Sequence, residues 1–92
     1  MLYLVCYDVV EDYRRNKISQ VLAGYGLRVQ WSVFECELTQ DQCRMLQGKL
    51  EVYLNPEQDQ VRFYPLSAQN HRKALILGVQ PQLQVDDTSF IV

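Results

Sequence analysis

The sequence has few of the residues that build metal clusters, disulfide frameworks or membrane spans. It contains one histidine and three cysteines, Cys6, Cys36 and Cys43, with no C-x-x-C pair. An odd number of widely spaced cysteines argues against a zinc or thioredoxin-like site and predicts buried free thiols. No apolar run approaches a membrane span, and the apolar start at residues 2–6 is too short for a signal peptide. These absences predict a soluble, cytoplasmic protein with reduced cysteines.

Positive charge is also scarce, and it is unevenly distributed. Nine basic residues against eleven acidic ones give a formal net charge of -2, whereas proteins that bind phosphate backbones by bulk attraction are basic overall. No lysine or arginine follows Lys73. Four basic residues, Arg14, Arg15, Lys17 and Arg28, lie instead in one short stretch. Any nucleic-acid surface therefore has to be a local patch.

The first half of the chain alternates between strand and helix patterns. Residues 2–10 predict a central strand, because they are apolar apart from Asp8. Asp12 is suited to cap the helix that follows, where apolar residues recur at helical spacing. Residues 27–38 alternate with a period of two, which fits either one long strand or two short strands joined near residues 30–32.

The second half predicts one more helix and two more strands. Thr39 to Gln42 have the pattern of a capping box, so a second helix begins there, and Asn55-Pro56 ends it. Residues 61–66 predict a strand that Pro65 confines to an edge or an exit. Residues 74–79 predict a last apolar strand.

This order of elements predicts an α+β fold of the ferredoxin-like, split βαβ type with an extra C-terminal strand. The domain covers residues 1–79, and residues 80–92 form a C-terminal tail. Both helices would lie on one sheet face and leave the other uncovered. A second copy of the chain is the simplest cover, so we expect a homodimer in which residues 74–79 extend the partner's sheet.

Asp8 is the only charged residue among the first ten, and it lies where the first predicted strand ends. Open α/β sheets place ligand sites at such positions. One interpretation is that Asp8 braces the following loop through backbone N–H groups. The other is that it binds Mg²⁺, which prefers carboxylate oxygens and keeps several waters. Two chains would supply two aspartates, enough to hold one ion and a substrate phosphate, and Asp8 would then be catalytic.

The basic patch also has two interpretations. Arg14, Arg15 and Lys17 lie away from the apolar face of the predicted helix, so we expect them to be solvated. They form either an ordinary surface cluster or a set of phosphate contacts beside Asp8.

Further candidates lie on the strands. Arg28, Ser32 and Phe34 share one face if residues 27–38 form a continuous strand. Ser32 has no histidine partner that would make it a nucleophile. A core role is favoured for Phe34, and also for Tyr7, whose ring could otherwise stack on a base.

Four blocks of residues resemble, in order, the motifs of the Cas-two family of CRISPR-associated endonucleases. The blocks are Leu2-Tyr3 through Tyr7-Asp8, Arg14-Arg15-x-Lys17, the run from Gly26 to Thr39, and Asp59-x-Val61-Arg62-x-Tyr64-Pro65-Leu66. They span about residues 1–66, and the last predicted strand resembles the family more weakly.

The resemblance implies a homodimer in which Asp8 faces its twin and binds Mg²⁺ or Mn²⁺. It also implies nuclease activity on single-stranded RNA or double-stranded DNA. In CRISPR adaptation, part of antiviral defence, such dimers join an integrase partner and hold the new spacer DNA. The family positions linked to activity correspond to Tyr7, Asp8, Arg15, Lys17, Arg28 and Phe34. Lys17 stands where some relatives have arginine, which puts bidentate phosphate contact there in doubt.

Three functions remain open. The first is a metal-dependent endonuclease, and the second is a non-catalytic DNA-binding scaffold that bridges integrase dimers. The third is a small-ligand regulatory module without nucleic acid, which the four blocks make the least favoured.

Overall fold

The computed structural model describes residues 1–79, so the predicted tail of residues 80–92 lies outside the described residues. The elements in chain order are β1 (Leu2–Asp8), α1 (Asp12–Ala23), β2 (Leu27–Gln30), β3 (Val33–Glu37), α2 (Gln40–Tyr53), β4 (Gln60–Leu66) and α3 (Ala68–Arg72). The strands form one four-stranded antiparallel sheet in the order β2-β3-β1-β4. As predicted, β1 is central, β4 is an edge strand, and the arrangement is the ferredoxin-like one.

The core lies between one face of the sheet and the two long helices. Successive side chains of a strand point to opposite faces, and in β1 Val5 and Tyr7 point into the core. The other buried members are Val9, Ile18, Leu22, Phe34, Cys36, Leu38, Cys43, Leu46 and Leu50. Leu4, Cys6 and Asp8 alternate with the core residues of β1 and therefore lie on the opposite face, which we call the open face.

The cysteines are free thiols as predicted, although only two of the three are buried. Within residues 1–79 all three are free thiols, with Cys36 and Cys43 buried and Cys6 half-buried. Burial raises the pKa of Cys36 to about 11, so this thiol stays protonated and unreactive near neutral pH. Among residues 1–79, none of the helices has the length and the apolar character of a membrane span.

The helix starts are set by local capping groups. Thr39 and Gln42 form the predicted capping box at the start of α2. In α1 the N-cap is Glu11 and not the predicted Asp12, since the Glu11 side chain accepts a hydrogen bond from the backbone N–H of Arg14. Asp12 is the first helical residue. Both acids suit the positive end of the helix dipole, so the pattern alone does not choose between neighbours.

Residues 27–38 form two strands, which resolves the alternative that the sequence left open. A turn at Trp31 and Ser32 joins β2 to β3, and the register shifts between Arg28 and Gln30. Within residues 1–79 only Gly78 has a positive φ, so the turn closes without the left-handed backbone that Asn-Gly turns use. Arg28 therefore lies opposite Phe34 on the neighbouring strand, and Ser32 is in the turn.

The predicted last strand, residues 74–79, is not formed in the described chain. A strand exists only where a neighbouring strand accepts its hydrogen bonds, and here the short helix α3 follows β4 instead. The side chains of Leu75 and Leu77 are 83% and 86% exposed. The apolar composition of this segment was thus correctly identified, but no strand among residues 1–79 pairs with it.

Gly26 lies against β3 so closely that a side chain there would overlap the carbonyl oxygen of Glu35 and Sγ of Cys36. We expect Gly26→Ala to lower the free energy of unfolding by about 1–3 kcal/mol. Gly48→Ala is the matched control, because its added methyl meets nothing within 4 Å. Removing a glycine from the interior of α2 should stabilise by about 0.5–1 kcal/mol. Urea denaturation of both variants measures these opposite changes in the free energy of unfolding. An unchanged free energy of unfolding in Gly26→Ala would contradict the close packing at this position.

Candidate functional site

Asp8 ends β1 on the open face, with its side chain exposed. It pairs with Gln60 of β4 in the backbone register. Within residues 1–79 its carboxylate makes no hydrogen bond shorter than 3.5 Å and no ion pair. The loop after β1 is braced by another carboxylate, so the bracing role considered for Asp8 is not what the structure shows.

That other carboxylate belongs to Asp59, whose side chain is fully buried. It accepts hydrogen bonds from the backbone N–H of Val10 at 3.0 Å and of Asn55 at 2.9 Å. Arg14 donates to it from Nε at 2.8 Å and from Nη2 at 3.3 Å. The Arg14 hydrogen bonds hold the pKa of Asp59 well below its usual range, and Asp59 in turn raises the pKa of Arg14. This ion pair fastens the loop after Asp8 to the start of β4.

Arg15 holds the same loop from the other side. Its Nε donates to the carbonyl oxygen of Val9 at 3.1 Å, and its Nη2 donates to that of Val10 at 3.1 Å. Its remaining terminal nitrogen forms an ion pair with Asp12. The expectation that Arg14 and Arg15 are solvated is therefore wrong, because their side chains are only 21% and 33% exposed and bond to several protein oxygens. Both position the loop beside Asp8.

Lys17 and Arg28 are placed differently from these two arginines. Lys17 Nζ lies 5.5 Å from the ring centre of Tyr13. The guanidinium carbon of Arg28 lies 5.5 Å from the ring centre of Trp31 and 5.2 Å from that of Phe34. Within the described residues neither cation forms an ion pair. Both therefore keep donors that could bind phosphate oxygens.

Tyr7 and Phe34 are core residues, the role that the sequence favoured for both. Their side chains are 6% and 2% exposed, and their rings stack with centres 6.3 Å apart. The Tyr7 hydroxyl donates to the carbonyl oxygen of Trp31 at 3.3 Å. The backbone carbonyl of Ser32 accepts from the N–H of Tyr7 at 3.1 Å. In this conformation Phe34 has no surface to offer a nucleic acid.

The structure separates the predicted site residues into two groups. Asp8 lies on the open face, whereas Tyr7, Arg28 and Phe34 belong to the helix-covered side. Three residues with structural importance were not singled out as candidates: Asp59, Trp31 and Arg62. Arg62 shares the open face with Asp8 and donates to Gln60 and Tyr64. The only sequence signal for Asp59 and Arg62 is their membership of the fourth block.

Asp8 is the residue that the sequence predicted as the ligand of a divalent cation. In the described part of the chain, no group of three or more His, Cys, Asp or Glu side chains could hold a metal. A single exposed carboxylate without a protein partner nevertheless matches the chemistry of Mg²⁺, which often binds one or two carboxylates and several waters. One chain thus offers half of the predicted ligand pair.

The comparisons with known proteins agree with the motif blocks. A sequence profile of the family described as CRISPR associated protein Cas2 matches residues 1–74. The chain belongs to the Cas2 family. A Cas2 relative in Synechocystis, named CRISPR-associated endoribonuclease Cas2 3, is 44% identical over 80 residues, which cover 87% of each protein.

Solved Cas2 structures confirm the predicted α+β fold class. The crystal structure of Streptococcus pyogenes Cas2 at pH 6.5 matches with a TM-score of 0.77 and 32% identity, covering 85% of this chain and 100% of that one. A chain of a partial Cas6-RT-Cas1–Cas2 complex matches with a TM-score of 0.75 and 38% identity, covering 83% of this chain and 89% of that one. Cas2 membership leaves the regulatory-module hypothesis without support.

Proposed function

We propose that this protein is a metal-dependent endonuclease that hydrolyses phosphodiester bonds as a homodimer in CRISPR adaptation. The observation that carries the proposal is Asp8, an exposed carboxylate at the end of the central strand with no partner within residues 1–79. Single-stranded RNA is the first substrate to test, because the Synechocystis relative is named an endoribonuclease. Duplex DNA is the second.

The open face supports the homodimer. It carries Leu4, Cys6 and Tyr64, of which Tyr64 is 44% exposed, and α1 and α2 both pack on the opposite face. A second copy placed there would bury this face and bring the two Asp8 side chains toward each other. The exposed apolar segment at residues 74–79 would add to the same interface.

The two Asp8 carboxylates would hold Mg²⁺ or Mn²⁺. A bound ion of this kind supplies Lewis acidity and neutralises charge on the scissile phosphate. Lys17 and Arg28 would bind neighbouring phosphates, since these two of the four basic candidates form no ion pair within residues 1–79. Arg14 and Arg15 would act indirectly by fixing the loop that follows Asp8.

The partner and the location of the protein are further parts of the proposal. A chain similar to this one occurs in a complex with Cas1, and we propose that this protein likewise assembles with the CRISPR integrase. Its three free thiols fit the reducing cytoplasm.

The test is cleavage of labelled single-stranded RNA and duplex DNA by Asp8→Asn and wild type, purified in parallel. We expect the wild-type protein to cleave in the presence of Mg²⁺ or Mn²⁺, and we expect cleavage to stop when EDTA removes the metal. Asp8→Asn removes the negative charge without changing the size of the side chain, so cleavage should fall by at least about 100-fold. Dimer mass and RNA affinity should stay as in wild type.

Asp41→Asn is the matched control. Asp41 lies on α2, and its side chain is 84% exposed, so this variant should cleave at the wild-type rate. If wild type and Asp8→Asn are equally inactive, the nuclease proposal fails. The non-catalytic DNA-binding scaffold, which the names of the relatives do not favour, would then become the leading account.

A further inference from the structure

We propose that a pocket between α1 and the β2–β3 turn binds one unpaired nucleotide of a single-stranded nucleic acid, with Trp31 as the platform on which its base stacks. The lining residues are Tyr7, Arg15, Asn16, Ser19, Gln20, Arg28 and Trp31. The pocket volume of about 270 Å³ lies just below the range of about 300–1,000 Å³ that encloses a drug-sized ligand. It therefore suits one unit of a longer chain. The proposal rests on the nucleic-acid function above.

The exposure of Trp31 is the first observation. Its side chain is 78% exposed, although tryptophan is highly buried on average because its indole is large and mostly apolar. It lies at the rim of a pocket whose other lining side chains, apart from the core residue Tyr7, are polar. Unpaired bases stack on exposed aromatic rings of this kind. An exposed indole beside polar groups is thus a surface with the chemistry of nucleotide binding.

The second observation is that the turn carrying Trp31 is anchored. Tyr7 bonds it twice, from its hydroxyl to the carbonyl of Trp31 and from its backbone N–H to the carbonyl of Ser32. Tyr7 itself is buried against Phe34. A platform held in place before binding loses less conformational freedom when a base stacks on it.

The third observation is the cation beside the platform. Arg28 lies near the rings of Trp31 and Phe34 and donates to the Ser19 hydroxyl. Within residues 1–79 it has no carboxylate partner, so its charge is available to a phosphate next to the stacked base. Asn16 and Gln20 add exposed amide groups, which can bond to sugar and base edges.

The test uses the intrinsic fluorescence of Trp31, which is the only tryptophan of the chain. A short oligouridylate is titrated into the full chain in EDTA, so that binding is measured without cleavage. We expect it to quench the indole emission. An abasic oligomer of the same length keeps the phosphates but has no bases. We expect its affinity to be at least about fivefold lower, and we expect it to leave the indole emission unchanged. The matching deoxyribose oligomer distinguishes RNA from DNA as the source of the nucleotide.

Variants separate stacking from charge. Trp31→Ala should weaken binding of a labelled oligouridylate by about 5- to 100-fold, whereas Trp31→Phe should restore most of the affinity. Val52→Ala is the control, because Val52 is 75% exposed and lies on α2, which contributes nothing to the pocket. Equal binding of the abasic oligomer, or wild-type affinity of Trp31→Ala, would overturn the proposal.

The outcome is independent of the nuclease test. Quenching by oligouridylate in a protein that never cleaves would retain the nucleotide pocket and reject the nuclease. Cleavage that depends on Asp8 but is unchanged in Trp31→Ala, with unchanged affinity, would retain the nuclease and reject the pocket.

Discussion

Asp59→Asn should destabilise the protein by about 3–5 kcal/mol, because it leaves the half-buried Arg14 with only the exposed Glu11 carboxylate, 3.4 Å away, as a counter-charge. The loss is large because Asp59 is fully buried and accepts four hydrogen bonds, two from backbone N–H groups and two from Arg14. An amide nitrogen in place of one carboxylate oxygen would face these donors with another donor. Thermal unfolding should report a lower midpoint by at least about 10 °C. Asp41→Asn, which breaks only an exposed pair, should shift it by little.

The contribution of Asp59 to the stability of the fold should also depend on pH. Its pKa in the folded protein is lowered by Arg14, below the value of about 3.9 expected in the unfolded chain. The carboxylate therefore stabilises the fold fully above the unfolded pKa and loses this contribution as pH falls toward the folded pKa. The stability gap between wild type and Asp59→Asn should narrow by about 1 kcal/mol from pH 7 to pH 3. A constant gap would show that the carboxylate charge contributes nothing.

Phe34→Ala should cost about 3–5 kcal/mol, the range for deleting a buried phenylalanine ring. Phe34 is among the largest fully packed side chains and is only 2% exposed. It supports Tyr7 on one side and lies beneath the Arg28 guanidinium. We therefore expect any loss of cleavage in Phe34→Ala to follow the loss of folded protein in urea denaturation.

Phe34→Leu distinguishes a packing role from a contact role. A leucine keeps much of the apolar volume and should cost less than about 1.5 kcal/mol. If packing is the whole role of Phe34, this variant should cleave RNA at close to the wild-type rate. A stable but inactive Phe34→Leu would mean that the ring itself contacts the substrate in a conformation other than this one.

Elements governed by neighbouring residues were predictable from the sequence. The capping box at Thr39, the apolar central strand and the edge position of Pro65 each depend on local chemistry, and the structure has all of them. The hairpin at Trp31 was harder to predict, because no Gly, Pro or Asn marks its turn. Residues 74–79 were assigned to a strand by composition, although strand formation requires a partner that composition does not specify.

Site residues were predictable only where their role did not depend on distant contacts. Asp8 was identified from its isolation at a strand end, and it lies where expected. Arg14 was expected in solvent because helical periodicity places it away from the apolar face of α1. Its partner Asp59 is 45 residues away in sequence, and helical periodicity cannot predict a contact over that distance. Trp31 was not identified as a site residue, since the alternating pattern left open whether it lay in a strand or in a turn.

Tyr7 and Asp8 are neighbours in sequence, yet they point to opposite sides of the sheet. A substrate that occupies the Trp31 pocket anchored by Tyr7 and also reaches Asp8 in the same subunit must therefore bend sharply around the end of β1. A duplex resists such a bend, since its persistence length is about 150 base pairs, whereas a single strand turns at almost every backbone bond. If the Trp31 pocket and Asp8 of one subunit hold the same substrate, the alternation of β1 would favour unpaired chains over paired ones.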